Sequence, residues 1–188
     1  DTDATNCTSA GCGNFIKVEN GATFYNNGQV SSASAMNFNL MSAANTGTIM
    51  LARGGSFEAP EISGEITAAA DIVTEGNETT YVNENSFVGQ DSGIKLNSSS
   101  YLFDAYLVTN EAGNQDVVMT MKNFADVVDN DSVANFLSSN YTLGTNMDMY
   151  SILKAAGDAT SFTTAVAEQM GLNLIPSFAK QNMDIVKA

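Results

Sequence analysis

The chain has 188 residues, with 7 Lys+Arg against 21 Asp+Glu, no His, no Trp, two Cys and a net charge of −14. Without His there is no Ser-His-Asp or Cys-His catalysis, no imidazole-bound zinc and no haem on a proximal His. Seven basic residues cannot build a phosphate-neutralising stripe, which excludes ordinary nucleic-acid binding and disfavours anionic lipid. With 44% hydrophobic residues the chain can build a core, enough for one domain burying roughly 70% of its unfolded surface.

The first residues, Asp1-Thr2-Asp3-Ala4-Thr5-Asn6, carry no basic or apolar leader, and no apolar run approaches the roughly 20 residues of a membrane helix. The final Asn182-Met183-Asp184-Ile185-Val186-Lys187-Ala188 reads as a helix stopped in mid-pattern. The chain is therefore expected to be a piece of a longer polypeptide. Cys7 and Cys12, with four residues between them, cannot complete a tetrahedral zinc site. A local disulfide in an oxidising compartment is the expectation for this segment, residues 1–13. Closing so small a loop contributes about 2 kcal/mol. Two free thiols are the alternative.

Residues 14–100 read as strands and turns. Candidate strands include Phe15-Ile16-Lys17-Val18, Ala22-Thr23-Phe24-Tyr25, Met36-Asn37-Phe38-Asn39-Leu40, Thr48-Ile49-Met50-Leu51, Glu61-Ile62-Ser63, Glu65-Ile66-Thr67 and Thr79-Thr80-Tyr81-Val82. Several alternate apolar and polar residues, as a sheet with one buried face requires. A small polar residue followed by Gly precedes strand-prone runs at Gly21, Gly28, Gly47, Gly64 and Gly93, with spacings of 19 residues from Gly28 to Gly47 and 17 from Gly47 to Gly64. Such spacing, with 21 Asn, predicts coils of a β-solenoid. The alternative is an antiparallel sandwich, whose turns recur about every 8–12 residues.

Over 101–122 the strands Tyr101-Leu102-Phe103-Asp104-Ala105-Tyr106-Leu107-Val108 and Asp116-Val117-Val118-Met119-Thr120-Met121-Lys122 flank a polar turn and predict a capping hairpin. From 123 to 188 the period becomes helical. Phe124, Val127 and Val128 start a short helix. Asp131 or Ser132 is expected to cap a second, with an apolar face of Val133, Phe136, Leu137 and Tyr141. Met149, Ile152 and Leu153 mark a third. Ser161 is expected to cap a fourth, carrying Phe162, Val166 and Met170 and closed by Gly171. Pro176 opens a last segment with Phe178, Met183 and Val186. The Met and aromatic stripes read as core.

The search for chemistry returns little. Asp126, Asp129 and Asp131 lack the Gly and distal Glu of a calcium loop and read as a solvated face. Glu58, Glu61 and Glu65 could pair as a glycosidase acid and nucleophile, the least favoured of three functional readings. Ser56 follows two Gly but lacks the trailing Gly of a nucleophile elbow and any His to activate it, so it reads as a turn residue. Glycosylation sequons such as those at Asn77, Asn97 and Asn140 are what an Asn- and Thr-rich chain produces by chance. No catalytic, metal or cofactor-binding residue is assigned.

The stretches Gly93-Ile94-Lys95-Leu96, Ser99-Ser100-Tyr101-Leu102-Phe103-Asp104-Ala105 and Asp116-Val117-Val118-Met119-Thr120-Met121-Lys122-Asn123-Phe124 resemble the C-terminal end of bacterial autotransporter passengers, of the group whose passenger begins with a subtilisin-like protease. The later Asn135-Phe136-Leu137 and Leu174-Ile175-Pro176-Ser177-Phe178-Ala179-Lys180-Gln181-Asn182-Met183 resemble the lead-in to a translocator barrel. The resemblance covers about half the chain and carries over no catalytic residue, because neither a protease domain nor a barrel lies in it. It implies that the solenoid is a right-handed parallel β-helix, ending in a junction, or autochaperone, with a core of Tyr101, Leu102, Phe103, Leu107, Val117 and Met119, and followed by a helical region leading to the barrel. The first reading is thus a non-catalytic scaffold in a type V secretion passenger, secreted or held at the outer membrane of a Gram-negative bacterium. Its implied partners are an upstream passenger domain and a downstream barrel of the same chain, with no membrane insertion of this segment. The second reading is an adhesin or lateral self-association module.

Overall fold

In a computed structural model of the chain, residues 16–19, 21–42, 46–73 and 76–171 are described. The expected Cys7–Cys12 disulfide, the segment 1–13 and the last expected helical segment after Pro176 lie outside the described residues. The protein is mainly β, with a mixed open sheet and a few short helices. The chain forms two compact units. One comprises residues 1–72, 82–97 and 105–118, and the other 73–81, 98–104 and 119–188.

In the first unit the early strands are short: β1 (Thr23–Asn26), β2 (Gln29–Ser31), β3 (Met36–Asn37) and β4 (Thr48–Leu51), with the single-turn helix α1 (Phe38–Met41) after β3. β5 (Ser56–Ala68) is long and alternates buried Phe57, Ala59, Ile62, Ile66 and Ala68 with exposed residues. β1, β2, β3 and β4 all pair in parallel. Thr23 registers with Thr48, Gln29 with Ser56 and Met36 with Ile62, separations of 25, 27 and 26 residues. These separations replace the 17–19 residues read from glycine spacing, although Met50 and Thr67 do register 17 apart. Gly64 lies inside β5 and not at a turn, so the glycine interval is not the pairing repeat. A right-handed parallel β-helix goes further than this pairing, and the established description is the mixed open sheet.

β6 (Thr80–Ser98) is one strand of 19 residues. Its contacts with β5 advance in the same chain direction: Asn83 with Gly55, Phe87 stacked on Phe57, Gly89 against Ala59, and Asn97 with Glu65. Phe38, Phe57 and Phe87 form a buried aromatic stack, with ring centroids 4.9–6.2 Å apart. β7 (Phe103–Thr109) and β8 (Gln115–Met121) form an antiparallel hairpin closed at Asn110, whose N–H donates to the Asn114 carbonyl. The order of paired strands is β1-β4-β5-β6-β8-β7, with β2 and β3 also on β5.

The second unit holds the ends of β6, β7 and β8 and four helices: α2 (Phe124–Val127), α3 (Asp131–Thr142), α4 (Met147–Ala155) and α5 (Ala159–Gln169). Asn130, rather than Asp131 or Ser132, caps α3, its Oδ1 accepting from the Ser132 and Val133 N–H groups. Asp158 caps α5, and Ser161 is the third helical residue of its capping box. Gly171 follows the α5 terminus with φ 65°, the left-handed conformation a helix stop needs. In α3 the buried face is Ala134, Leu137 and Tyr141, while Phe136 is exposed.

Candidate functional site

Four of the six junction residues are buried: Leu102, Phe103, Val117 and Met119. Tyr101 and Leu107 are half-buried. Phe103 packs edge-on against Tyr81, and Tyr101 tilts against Phe162 of α5. The Lys122 ammonium lies 4.9 Å from the centre of the Tyr101 ring, donates to the Tyr101 carbonyl at 2.8 Å and pairs with Asp104 at 3.3 Å. The Tyr101 N–H donates to the Ala156 carbonyl. This part of the second unit is held by backbone as well as by side chains.

Sequence reasoning missed the main polar centre of that unit. Lys154 of α4 is buried, and its ammonium donates to the Gly76 carbonyl at 2.9 Å and to the Tyr81 hydroxyl at 3.4 Å. It lies 5.5 and 5.4 Å from the ring centres of Tyr81 and Tyr141, close enough for cation–π attraction. The Tyr141 hydroxyl donates to the Glu78 carbonyl at 2.6 Å, and the Tyr150 hydroxyl to the Leu137 carbonyl at 2.5 Å. Phe124, Tyr141 and Tyr150 close the cluster with centroid separations of 4.9–6.2 Å. Burial pushes the Tyr150 phenol up to about 12 and raises Tyr81 and Tyr141 as well. Burial lowers Lys154, opposed by the Glu78 carboxylate. Desolvation and a neutralising carboxylate thus act in opposite senses on one amine. The visible signal was a Lys one step beyond Leu153 on an otherwise apolar helix face.

In the first unit, two buried asparagines satisfy turn backbone. Asn26 donates to the Ser56 carbonyl at 2.9 Å and accepts from Gly28 N–H. Asn83 donates to the Gly55 carbonyl and the Ser86 hydroxyl and accepts from Gly54 N–H at 2.7 Å. Ser56 begins β5, half-buried, and its N–H donates to the Gly28 carbonyl. A Cβ at Gly55 would overlap the Asn26 carbonyl, so the Gly-Gly before Ser56 serves close backbone approach.

Glu58, Glu61 and Glu65 are all exposed. Glu58 accepts from Gln29 and Ser31, and Glu65 from Asn97. Asp126, Asp129 and Asp131 are exposed, and among the described residues no three His, Cys, Asp or Glu gather to hold a metal. The amides of Asn77, Asn97 and Asn140 donate hydrogen bonds, to Thr142, Glu65 and Phe136 respectively.

Two clefts are roomy. One, of about 440 Å³, is lined by Asn77, Thr79, Lys122, Phe124, Ser138 and Tyr141 among others, with no carboxylate. The other, of about 540 Å³ in the first unit, is lined by Ile16, Val30, Ala35, Met36, Leu40 and Met41 with serines and Asn37. Neither brings together the two carboxylates that glycoside hydrolysis needs. No described helix is long and apolar enough to cross a membrane.

Residues 43–123 match the family described as the BigA beta sandwich domain. The matched stretch takes in β4 to β8 and ends at Asn123, the cap of α2. That description names neither an autotransporter passenger nor a β-helix. No curated protein and no solved structure matches the chain.

Proposed function

We propose that this chain is a non-catalytic structural domain of a bacterial surface protein. The family match over 43–123 carries the reading, since BigA-like domains occur in bacterial surface proteins. Two further observations support it. The buried Asn26 and Asn83 are engaged in turns, and the candidate carboxylates Glu58 and Glu65 in hydrogen bonds between strands. The charge of −14 keeps an extended surface domain soluble and apart from its neighbours.

The finer reading is a scaffold segment near the end of an autotransporter passenger. There the parallel strands belong to a right-handed solenoid, and the hairpin over 101–122 is its junction. The 25–27-residue register and the burial of Leu102, Phe103, Val117 and Met119 support it.

The test replaces Leu102 or Phe103 by Asp in the whole protein in its native bacterium. Surface display and protease resistance should fall sharply for both, because a carboxylate is forced into a fully buried position. Leu143→Asp, at an exposed position, should leave both unchanged. Normal display of both buried variants would overturn the folding role.

A further inference from the structure

Among the described residues, the last strand in the pairing order offers a backbone edge with five consecutive uncharged residues, 105–109. β7 pairs with β8 on one side, and no further strand pairs with it among the described residues. The pairing fixes which backbone groups point outward. Asn110 N–H donates to the Asn114 carbonyl, and Lys122 N–H donates to the Leu102 carbonyl. Both bonds put even-numbered residues of β7 toward β8. The N–H and C=O groups of Ala105, Leu107 and Thr109 therefore point away from it. At the other end of the order β1 has four residues, short enough to blunt that edge, whereas β7 has seven.

From this edge we infer that the chain self-associates through β7, two copies pairing antiparallel about a two-fold axis at Leu107. That register places Leu107 opposite Leu107 and Ala105 opposite Thr109, so every outward-pointing residue meets another. It places Tyr106 opposite Val108, an aromatic–β-branched pair of the kind that stabilises antiparallel strands. Both are exposed large apolar residues. Asp104 falls opposite Asn110, so no like charges face each other along the strand. Ala105-Tyr106-Leu107-Val108-Thr109 contains neither a charge nor a Pro, the two devices that protect an edge. Two copies that each carry −14 repel over most of their surfaces, and this strand is where they can approach. A two-fold contact uses the same patch on both partners and closes at two copies. Five residues per copy make a weak contact, which becomes effective where copies are concentrated side by side. The inference does not depend on where the protein is displayed.

The experiment uses the full chain with Cys7 and Cys12 replaced by Ser and single cysteines introduced. Under mild oxidation Leu107→Cys should form a homodisulfide well above the level of Leu143→Cys, an exposed position on the C-terminal side of α3. Ala105→Cys should crosslink with Thr109→Cys and not with itself. Because Leu107 is half-buried, a second measurement uses the exposed Val108 with the native cysteines in place. Val108→Asp should raise the dimer dissociation constant in sedimentation by about tenfold, as expected for losing a cross-strand pair and adding an unpaired charge. Crosslinking of Ala105→Cys with itself would overturn the register. Leu107→Cys crosslinking at the Leu143→Cys level, or an unchanged sedimentation profile for Val108→Asp, would overturn the association.

Discussion

The two units reach stability by different means. In the strand unit, β1 to β5 pair in parallel register, and Phe38, Phe57 and Phe87 form a shared buried stack. Buried amides close the turns there. In the helical unit a cluster of Phe124, Tyr141 and Tyr150 surrounds an amine, and helix caps do the local work. The first design depends on backbone approach and therefore on glycine. The second depends on satisfying hydroxyls and one buried charge. Substitutions that punish one unit should leave the other's chemistry untouched.

The largest effect is expected in the strand unit. Gly89 has φ 135° and sits so close to the Ala59 carbonyl that a Cβ would overlap it. Gly89→Ala should cost more than about 3 kcal/mol by chemical denaturation, strain and clash together. Gly113, at φ 84° with open space around it, should lose only about 1 kcal/mol on the same change. Equal costs would remove the close-approach argument. In the helical unit, Tyr141→Phe leaves the Glu78 carbonyl without its donor and should cost about 1–3 kcal/mol.

The pH response sharpens the comparison. The Tyr150 and Tyr25 phenols are each pushed up to about 12, Tyr150 by burial and Tyr25 by burial and then the Asp71 carboxylate. The fold favours their protonated forms. Their contribution is therefore fully present below the ordinary phenol value of 10.0 and is lost as pH rises toward 12. Lys154 behaves oppositely. Burial lowers it from 10.5, so the fold disfavours its charged form, and that cost is relieved as pH rises toward 10.5. Lys154→Met removes a buried charge together with its bond to Gly76, and should change stability at neutral pH by no more than about 1 kcal/mol. Its alkaline loss should be steeper than the parent's, because the compensating gain is gone. A parallel pair of pH–stability curves would contradict this account of the amine.

Smaller effects test the helix ends and faces. Asn130→Ala should cost about 1 kcal/mol as a lost cap, and Ser132→Ala almost nothing. Phe136→Ala should stay within about 0.5 kcal/mol, since its ring is exposed.

These last residues show what the sequence made legible. The change from period 2 to a helical period after Asn123, the short helix at Phe124 and the stop at Gly171 were readable, because each rests on local chemistry. Caps were misplaced by one to three residues where several eligible side chains lie together: Asn130, Asp131 and Ser132 at one helix, Asp158 and Ser161 at another. Phe136 and Leu137 both fit the apolar face by spacing, and only packing decides that Leu137 is inside. The segments Glu61-Ile62-Ser63 and Glu65-Ile66-Thr67 read as two strands because Gly64 looks like a turn. Its φ of 93° sits instead within the continuous β5, with Asn39 closely opposed. Lys154 shows in the sequence only as a Lys beside Leu153, and its burial is decided by residues more than seventy positions away, at Gly76 and Tyr81.

The central proposal is a folded, non-catalytic domain displayed at the cell surface. Its most direct test is labelling of intact native cells with a membrane-impermeant amine reagent, mapped by mass spectrometry. The account predicts labelling at the exposed Lys17 and Lys95 on intact cells, with the buried Lys154 reacting only after denaturation. No labelling until the cells are broken, or Lys154 reacting on intact cells as fast as Lys17, would contradict it.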